Sequence, residues 1–282
     1  MKKKSEKPYV IERIFMQRWD EATNTLNDSL VTNDQVASAI RWANENKETK
    51  LSALNPANFI KDIIRGKNAS AMWPDLLKRH RWTAVQVTGN GNIFRFVRYS
   101  EDQNEPFPVK FGYHANVIKH RLQSVSMPMA SKSLGRDDET YLIQVAVRLA
   151  VVETHFALFS PIPVVELNHL QIGIKLRFCE VDALFSAIYL DNNGKLTPMI
   201  ITAEAKNKKQ RILEEQIMQQ VHAAFSETAV DTVVPIAMTS EDGGIYLAEF
   251  ESIKREELEK DFVSLRLRTE VLYELHPKVK GI

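Results

Sequence analysis

Two short segments hold side chains that could do chemistry together: Glu180-Val181-Asp182, and Glu204-Ala205-Lys206. Between them lies Asp191-Asn192-Asn193-Gly194-Lys195, a strong signal for a tight hairpin turn. Side chains on a strand alternate between faces, so Glu204 and Lys206 share one face near the end of their strand, with Asp182 on the partner strand. The run at 199–203 is apolar enough to lie inside a sheet. Charges at the end of a buried strand are costly unless they are paired or bind metal. Two carboxylates, with the Ala205 carbonyl oxygen as a further donor, are hard oxygen ligands suited to Mg²⁺. Lys206 places a positive charge where a phosphate and an attacking water would sit. That combination fits metal-assisted phosphodiester hydrolysis.

The elements that must position these residues follow from the pattern around them. Asp137-Asp138-Glu139 opens a helix, since acidic residues suit the positive end of its dipole. Residues 141–158 are almost wholly apolar, interrupted by Arg148 and Glu153, and read as a buried helix. Strand-like runs follow at 170–178, 180–190 and 198–206, then a helix at about 209–225. Strands near 231–238 and 244–251 come next, and a charged helix from Ile253 to about 265. The expected class is α/β (α+β), a mixed central sheet flanked by helices over 137–282.

An Asp, a hairpin and a Glu-x-Lys triplet inside an α-β-β-β-α-β order resemble the PD-(D/E)xK nuclease superfamily, which includes many type II restriction endonucleases. The resemblance covers about 137–252. It implies that Asp182 and Glu204 hold the metal and that Lys206 is the lysine of the motif. Family members often carry a further acid on the helix before the sheet, a place Glu153 fits, and a Gln on the helix after the motif, a place Gln216 fits. The usual Pro before the Asp is absent, since Cys179-Glu180-Val181 precedes Asp182. Other readings stay open here. Glu153 can pair with Arg148 or Arg177, Glu180 can be a ligand or a structural acid, and Gln216 with Gln220 can be a surface pair.

The N-terminal part reads as a helix over about 8–27, a second over about 34–46, a third starting at Asn55-Pro56 and stopping at Gly66, and a short fourth over about 70–80. A strand from Trp82, a turn at 89–92 and a strand over 93–99 then form a hairpin. Helices followed by a hairpin resemble winged-helix DNA-binding domains in element order. The expected division is a winged-helix-like domain at 1–112, a linker at 113–136, and the catalytic domain at 137–282. Lys78, Arg79 and Arg81 close the fourth helix, and Arg95 and Arg98 lie on the wing. These five, with Gln216, are the expected DNA contacts.

Charge patterning agrees. Residues 1–135 hold 21 Lys and Arg against 13 Asp and Glu, and the remainder holds 16 against 23. A basic half suits the phosphate backbone. The single cysteine, Cys179, excludes an internal disulfide and a Cys-rich zinc site. No stretch reaches the roughly 18 apolar residues of a membrane-spanning helix, and no apolar signal-peptide core follows the basic start. No Gly-rich phosphate loop or Gly-x-Ser-x-Gly is present, so neither ATP hydrolysis nor esterase chemistry is supported and no nucleotide cofactor is expected. The expected protein is a cytoplasmic, Mg²⁺-dependent double-stranded DNA endonuclease, most specifically a type II restriction enzyme acting as a homodimer. Another nuclease of the superfamily in repair or defence, and a non-catalytic winged-helix regulator, are the alternatives.

Overall fold

The computed structural model describes residues 6–87, 91–175, 179–258 and 265–282. Its internal contacts divide the chain into two units, Met1–Val109 and Lys110–Ile282.

The first unit opens with α1 (Lys7–Met16), which ends well short of the expected helix over 8–27. Asn24, Thr25 and Asn27 are poor helix formers. Instead β1 (Trp19–Asp20) and β2 (Thr25–Leu26) form a small hairpin, with Asn24 in the left-handed region at φ 52° and its Oδ1 accepting from Trp19 Nε1 at 3.1 Å. After β3 (Leu30–Thr32) comes α2 (Asn33–Asn46), started by a reciprocal capping box between Thr32 and Gln35. Then come α3 (Pro56–Ile64), α4 (Ala69–Met72) and α5 (Asp75–Arg79). The expected helix over 70–80 is thus two pieces. Pro74 disfavours helical geometry in the residue before it, and Trp73 turns extended at ψ 141°. β4 (Trp82–Gln86) and β5 (Asn92–Arg98) pair antiparallel, and the expected turn between them falls partly outside the described residues. β3 adds to the other side of β5, giving the order β3-β5-β4. Ile11, Ile14, Phe15, Ile40, Trp73, Phe94 and Phe96 are fully buried at the centre.

The second unit is a mixed sheet flanked by helices on both faces. Its elements are β6 (Ile118–Gln123), α6 (Met129–Leu134), α7 (Glu139–Arg148), α8 (Val151–Leu158), β7 (Val164–Lys175), β8 (Glu180–Leu190) and β9 (Leu196–Lys206). They continue with α9 (Glu214–Glu227), β10 (Thr232–Glu241), β11 (Gly244–Phe250), β12 (Ile253–Lys254), a 3₁₀ turn at Arg255–Glu257, and β13 (Leu267–His276). The strand order is β6-β13-β11-β10-β9-β8-β7, with β12 beside β10. β7, β8 and β9 form an antiparallel meander, α9 carries the chain over to β10 parallel to β9, and β6 lies parallel to β13. One face packs Ile143, Ala146, Val152, Phe185, Ile201 and Ile236 together with α7 and α8. The other packs Ile217, Val221 and Phe225 of α9 against Leu184, Ile200 and Val233.

Three expectations change here. The segment expected as a linker, 113–136, supplies the edge strand β6 and the helix α6. The apolar helix is broken, with Ala150 left-handed at φ 51° between α7 and α8. A helix from Ile253 to 265 is not formed at its start, where β12 and the 3₁₀ turn lie; residues 259–264 are outside the described ones, and β13 follows. Among the described residues no single helix is long and apolar enough to cross a membrane. Counted by unit, the charge contrast softens. The first unit holds 17 Lys and Arg against 13 Asp and Glu, the second 20 against 23, because Lys110, Lys119, Arg121 and Lys132 belong to the sheet unit.

Candidate active site

The β8–β9 turn sets the register of everything beyond it. Asp191 Oδ1 accepts from the backbone N–H groups of Asn193 and Lys195, each at 2.9 Å, and Gly194 takes φ 74°, which an L side chain resists. From Leu190 opposite Leu196 the ladder runs unbroken to Ala183 opposite Ala203. The next position sets Asp182 opposite Glu204. There the backbone pairing gives way to a side chain: Asp182 Oδ2 accepts from the Ala205 N–H at 2.8 Å.

Glu204 and Lys206 are both 3% exposed. Lys206 Nζ is ion-paired to Glu204 Oε1 and lies 3.7 Å from Glu139 Oε1, at the start of α7. The second oxygen of Glu204 accepts from Gln220 Nε2 on α9. Burial pushes the Asp182 carboxyl up to about 7, and the charge of Glu204 beside it pushes the same way, with Glu139 adding to it. The Ala205 N–H and Lys206 pull it back. Two acids this close resist carrying both charges.

Of the expected catalytic residues, Asp182, Glu204 and Lys206 come together, with Ala205 buried between the last two. Glu153 does not join them. It sits on α8, its nearest charge interaction is with His169 on β7, and burial raises its carboxyl. Its buried Oε2 has no hydrogen-bond partner among the described residues. Arg148 donates to the Ser126 carbonyl instead, and Arg177 lies outside the described residues. The acid that α7 and α8 bring to the site is Glu139. Gln216 is likewise replaced by Gln220, one turn later on α9. Glu180 is exposed and sits opposite Lys175. Lys208 is held by Asp242 at 2.9 Å.

The donor set can be tested against Mg²⁺. Among the described residues no group of three or more His, Cys, Asp or Glu side chains is gathered as for a metal. Mg²⁺ keeps several waters and is commonly held by one or two carboxylates plus substrate phosphate, so two facing acids suffice. The raised carboxyl of Asp182 shows a pair that a divalent cation would relieve. Gln220 Oε1 and Thr202 Oγ1, on the same side of β9, are buried acceptors with no partner among the described residues. The residues fit the ion.

In the first unit, the expected DNA contacts divide into two kinds. Arg81 is consumed internally: at φ 62° it donates to the carbonyls of Ser100 and, at 3.0 Å, Gln103, and it stacks over Tyr99. Arg98 donates to the Asn24 carbonyl and lies 5.1 Å over the Trp82 ring. Lys78 pairs with Asp75 at 3.1 Å. Arg79 and Arg95 are exposed, and their side chains make no hydrogen bond or ion pair to another described residue. Lys78, Arg79 and Arg81 border an open pocket of about 600 Å³.

One constellation has no counterpart in the sequence reading. His155 and Glu249 are fully buried, with His155 Nε2 3.1 Å from Glu249 Oε2 and Nδ1 3.0 Å from the Tyr273 hydroxyl. Ser160 donates to the other Glu249 oxygen at 3.0 Å. Its only sequence signal is a histidine inside an apolar helix. With no access to a substrate, it holds α8 to β11 and β13.

The sequence matches no protein-family model, and neither the curated proteins nor the solved structures contain a significant match to it.

Proposed function

We propose that the second unit hydrolyses phosphodiester bonds of double-stranded DNA with the help of Mg²⁺. The observation that carries this is Asp182, bonded to the Ala205 N–H one position beyond the Ala183–Ala203 pair and within reach of the Glu204 charge, with Lys206 ion-paired to Glu204 at the strand's end. The order α7/α8-β7-β8-β9-α9-β10 supports the reading, because it is the order the restriction-endonuclease-like resemblance implies. In the first unit the order is α1-β1-β2-β3-α2-α3-α4-α5-β4-β5, and its helices followed by the β4–β5 hairpin, with a β3-β5-β4 sheet, support a winged-helix role in holding DNA.

Asp182 and Glu204 would hold Mg²⁺, which when bound supplies a Lewis acid and neutralises charge at the phosphate. Gln220 fixes the Glu204 carboxylate by occupying its second oxygen. Lys206 orients the attacking water and offsets charge that develops on the phosphate. No covalent intermediate is required. Cutting both strands of a palindrome calls for two such sites related by a twofold axis, so a homodimer belongs to the type II form of this reading.

Incubation of plasmid and phage DNA with the full chain in Mg²⁺ tests it. Nicked and linear products should appear, vanish in EDTA, and be absent for Lys206→Ala. Binding without cleavage under all conditions would leave a DNA-binding regulator and overturn the hydrolase. A parallel panel of flap, junction and single-stranded DNA separates restriction from repair.

A further inference from the structure

The first unit holds a cleft whose walls are braced from within. It is an open pocket of about 600 Å³, inside the range of about 300–1,000 Å³ usual for small-ligand sites, and α4, the end of α5 and the segment after β5 enclose it. Ser70 ties α4 to that segment twice, donating to the Phe107 carbonyl at 3.2 Å and accepting from the Phe107 N–H at 3.1 Å. Thr83 donates to the Pro106 carbonyl at 2.7 Å. The Tyr99 hydroxyl donates to the Lys78 carbonyl at 2.9 Å, and the Tyr99 N–H to the Arg81 carbonyl at 3.0 Å. A cleft tied at this many points loses little freedom when a ligand enters.

Lys78, Arg79 and Arg81 all line this cleft. Arg81 is the fixed cation of the three. Its left-handed backbone, the two carbonyls on Nη2 and the Tyr99 ring beneath the guanidinium hold it in one place. Its Nη1 makes no hydrogen bond to another described residue, and its buried Nε has no partner among them. Buried donors without a partner are rare, and a bound water or ion is one way they are satisfied. Arg79 is the free cation. Lys78 is held at 3.1 Å by Asp75, whose side chain is 90% exposed, and exposed pairs of this kind hold weakly. Glu105 is the one acid of the lining, which leaves a surplus of two positive charges. Asp102, whose charge acts on Arg81, is exposed and stands outside the lining, where water and salt screen it.

The charge and the concave shape select among phosphates. Guanidinium forks match phosphate oxygens in geometry as well as charge. A diester inside a duplex carries one charge and lies on a convex rod. A monoester carries nearly two charges at neutral pH and ends its chain, so it can enter a concave site and meet a surplus of two. We propose that this cleft binds a phosphate monoester, either the terminal phosphate of a nucleic-acid strand or that of a free mononucleotide. Asn104, exposed and with an amide that bonds to no other described residue, adds a donor and an acceptor at the rim. The strand-end form rests on the DNA-holding role proposed for the first unit, and the mononucleotide form does not. Neither takes part in the hydrolysis proposed for the second unit.

Titration calorimetry with the full chain in EDTA tests this. The probes are AMP, adenosine, and short single-stranded and duplex DNA with a phosphate at the 5′ end, at the 3′ end or at neither. Arg79→Ala removes the free cation, and Asn104→Asp adds a negative charge at an exposed position. Tryptophan-detected unfolding checks that both variants fold, since all four tryptophans lie in this unit. A probe with a terminal phosphate should bind at least about tenfold tighter than its counterpart without one, and each variant should weaken that binding by about tenfold, the scale of one hydrogen bond to a charged group. Binding of AMP identifies the free mononucleotide, and a preference confined to phosphorylated strands identifies the strand end. Indifference to terminal phosphate in the wild type, or an undiminished preference in a folded variant, overturns the assignment. Duplex binding with no response to a terminal phosphate or to AMP rejects the cleft and keeps the DNA-holding role, and AMP binding without duplex binding does the reverse.

Discussion

Asp182→Asn gives the most direct physical reading of the site. The carboxyl of an unfolded Asp titrates at 3.8, and in the fold burial and Glu204 push it up to about 7. Below pH about 4 it is protonated in both states and costs the fold nothing. Between pH 4 and 7 the unfolded chain has released this proton while the folded chain keeps it, so the folded state is penalised increasingly as pH rises. Above about 7 the penalty is complete. Each pH unit of that interval is worth about 1.4 kcal/mol, so the full cost is on the order of 4 kcal/mol at most. Asn cannot ionise, and its oxygen can still accept from the Ala205 N–H. Asp182→Asn should therefore match wild type near pH 4 and exceed it at pH 8, by several degrees in the melting temperature of the sheet unit, at about 2–4 °C per kcal/mol. All four tryptophans, at 19, 42, 73 and 82, lie in the first unit. Calorimetry must read the sheet unit, and tryptophan emission serves as an internal control that should not move. Mg²⁺ should stabilise wild type at pH 8 more than the variant. A melting difference that is flat from pH 4.5 to 8.5, or a variant less stable at pH 8, would refute a strained, mutually repelling acid pair.

Other outcomes follow from the same contacts. Glu204→Ala and Lys206→Ala should each abolish plasmid cleavage, and Gln220→Ala should lower Mg²⁺ affinity or turnover about 10- to 100-fold, as loss of a ligand's supporting hydrogen bond does; undiminished turnover would remove Gln220 from the site. Glu153→Gln should leave cleavage intact and raise stability at neutral pH, because burial penalises its charged form, and a cleavage defect in a folded variant would return it to the chemistry. Arg79→Ala with Arg95→Ala should flatten the salt dependence of duplex binding by up to about two phosphate contacts without unfolding the first unit, whereas Arg81→Ala should destabilise that unit in tryptophan-detected unfolding. Glu249→Ala should cost about 1–3 kcal/mol in chemical denaturation, since it leaves the buried His155 Nε2 and the Ser160 hydroxyl without their hydrogen-bond partner.

What could be read from the sequence was what local chemistry specifies. The turn at Asp191–Lys195 fixes a register, and a register alone suffices to set Asp182 opposite Glu204. Glu153 was misplaced for an equally local reason. Apolar periodicity locates a helix face but says nothing of a bend, and the left-handed Ala150 gives α8 a direction that 141–158 does not announce. Glu139 looked like a helix-start residue and is one; that it also meets Lys206 is a consequence of sheet topology. Gln216 and Gln220 share a helix face, and choosing between them needs the phase of α9, whose start at Glu214 lies five residues beyond the expected 209. β6 is a faint signal because its inward positions, His120 and Leu122, are only half-buried between Lys119, Arg121 and Gln123, and its one β-branched residue, Ile118, is exposed. β13 was within reach: Val271, Tyr273 and Leu275 alternate and are all buried.

The charge arrangement links the proposed metal to the proposed DNA substrate. Asp182, Glu204 and Glu139 carry three formal negative charges against the single positive charge of Lys206, a balance that a divalent cation would cancel. Without the cation, the cluster answers its own repulsion by holding a proton on Asp182 up to about pH 7 and by ion-pairing Lys206 to Glu204. Both arrangements occupy groups the proposed reaction needs. Metal binding must displace that proton, so its apparent affinity rises with pH through neutrality, and it weakens the hold of Glu204 on Lys206, freeing the ammonium for phosphate and water. The sheet unit, formally at −3, would then present less negative charge to a proposed duplex, while the first unit, at +4, would be the more attractive to phosphates. On this argument DNA docking and metal loading favour one another, and the frame that holds Asp182 of β8 beside the buried Glu204 of β9 is less stable for holding them.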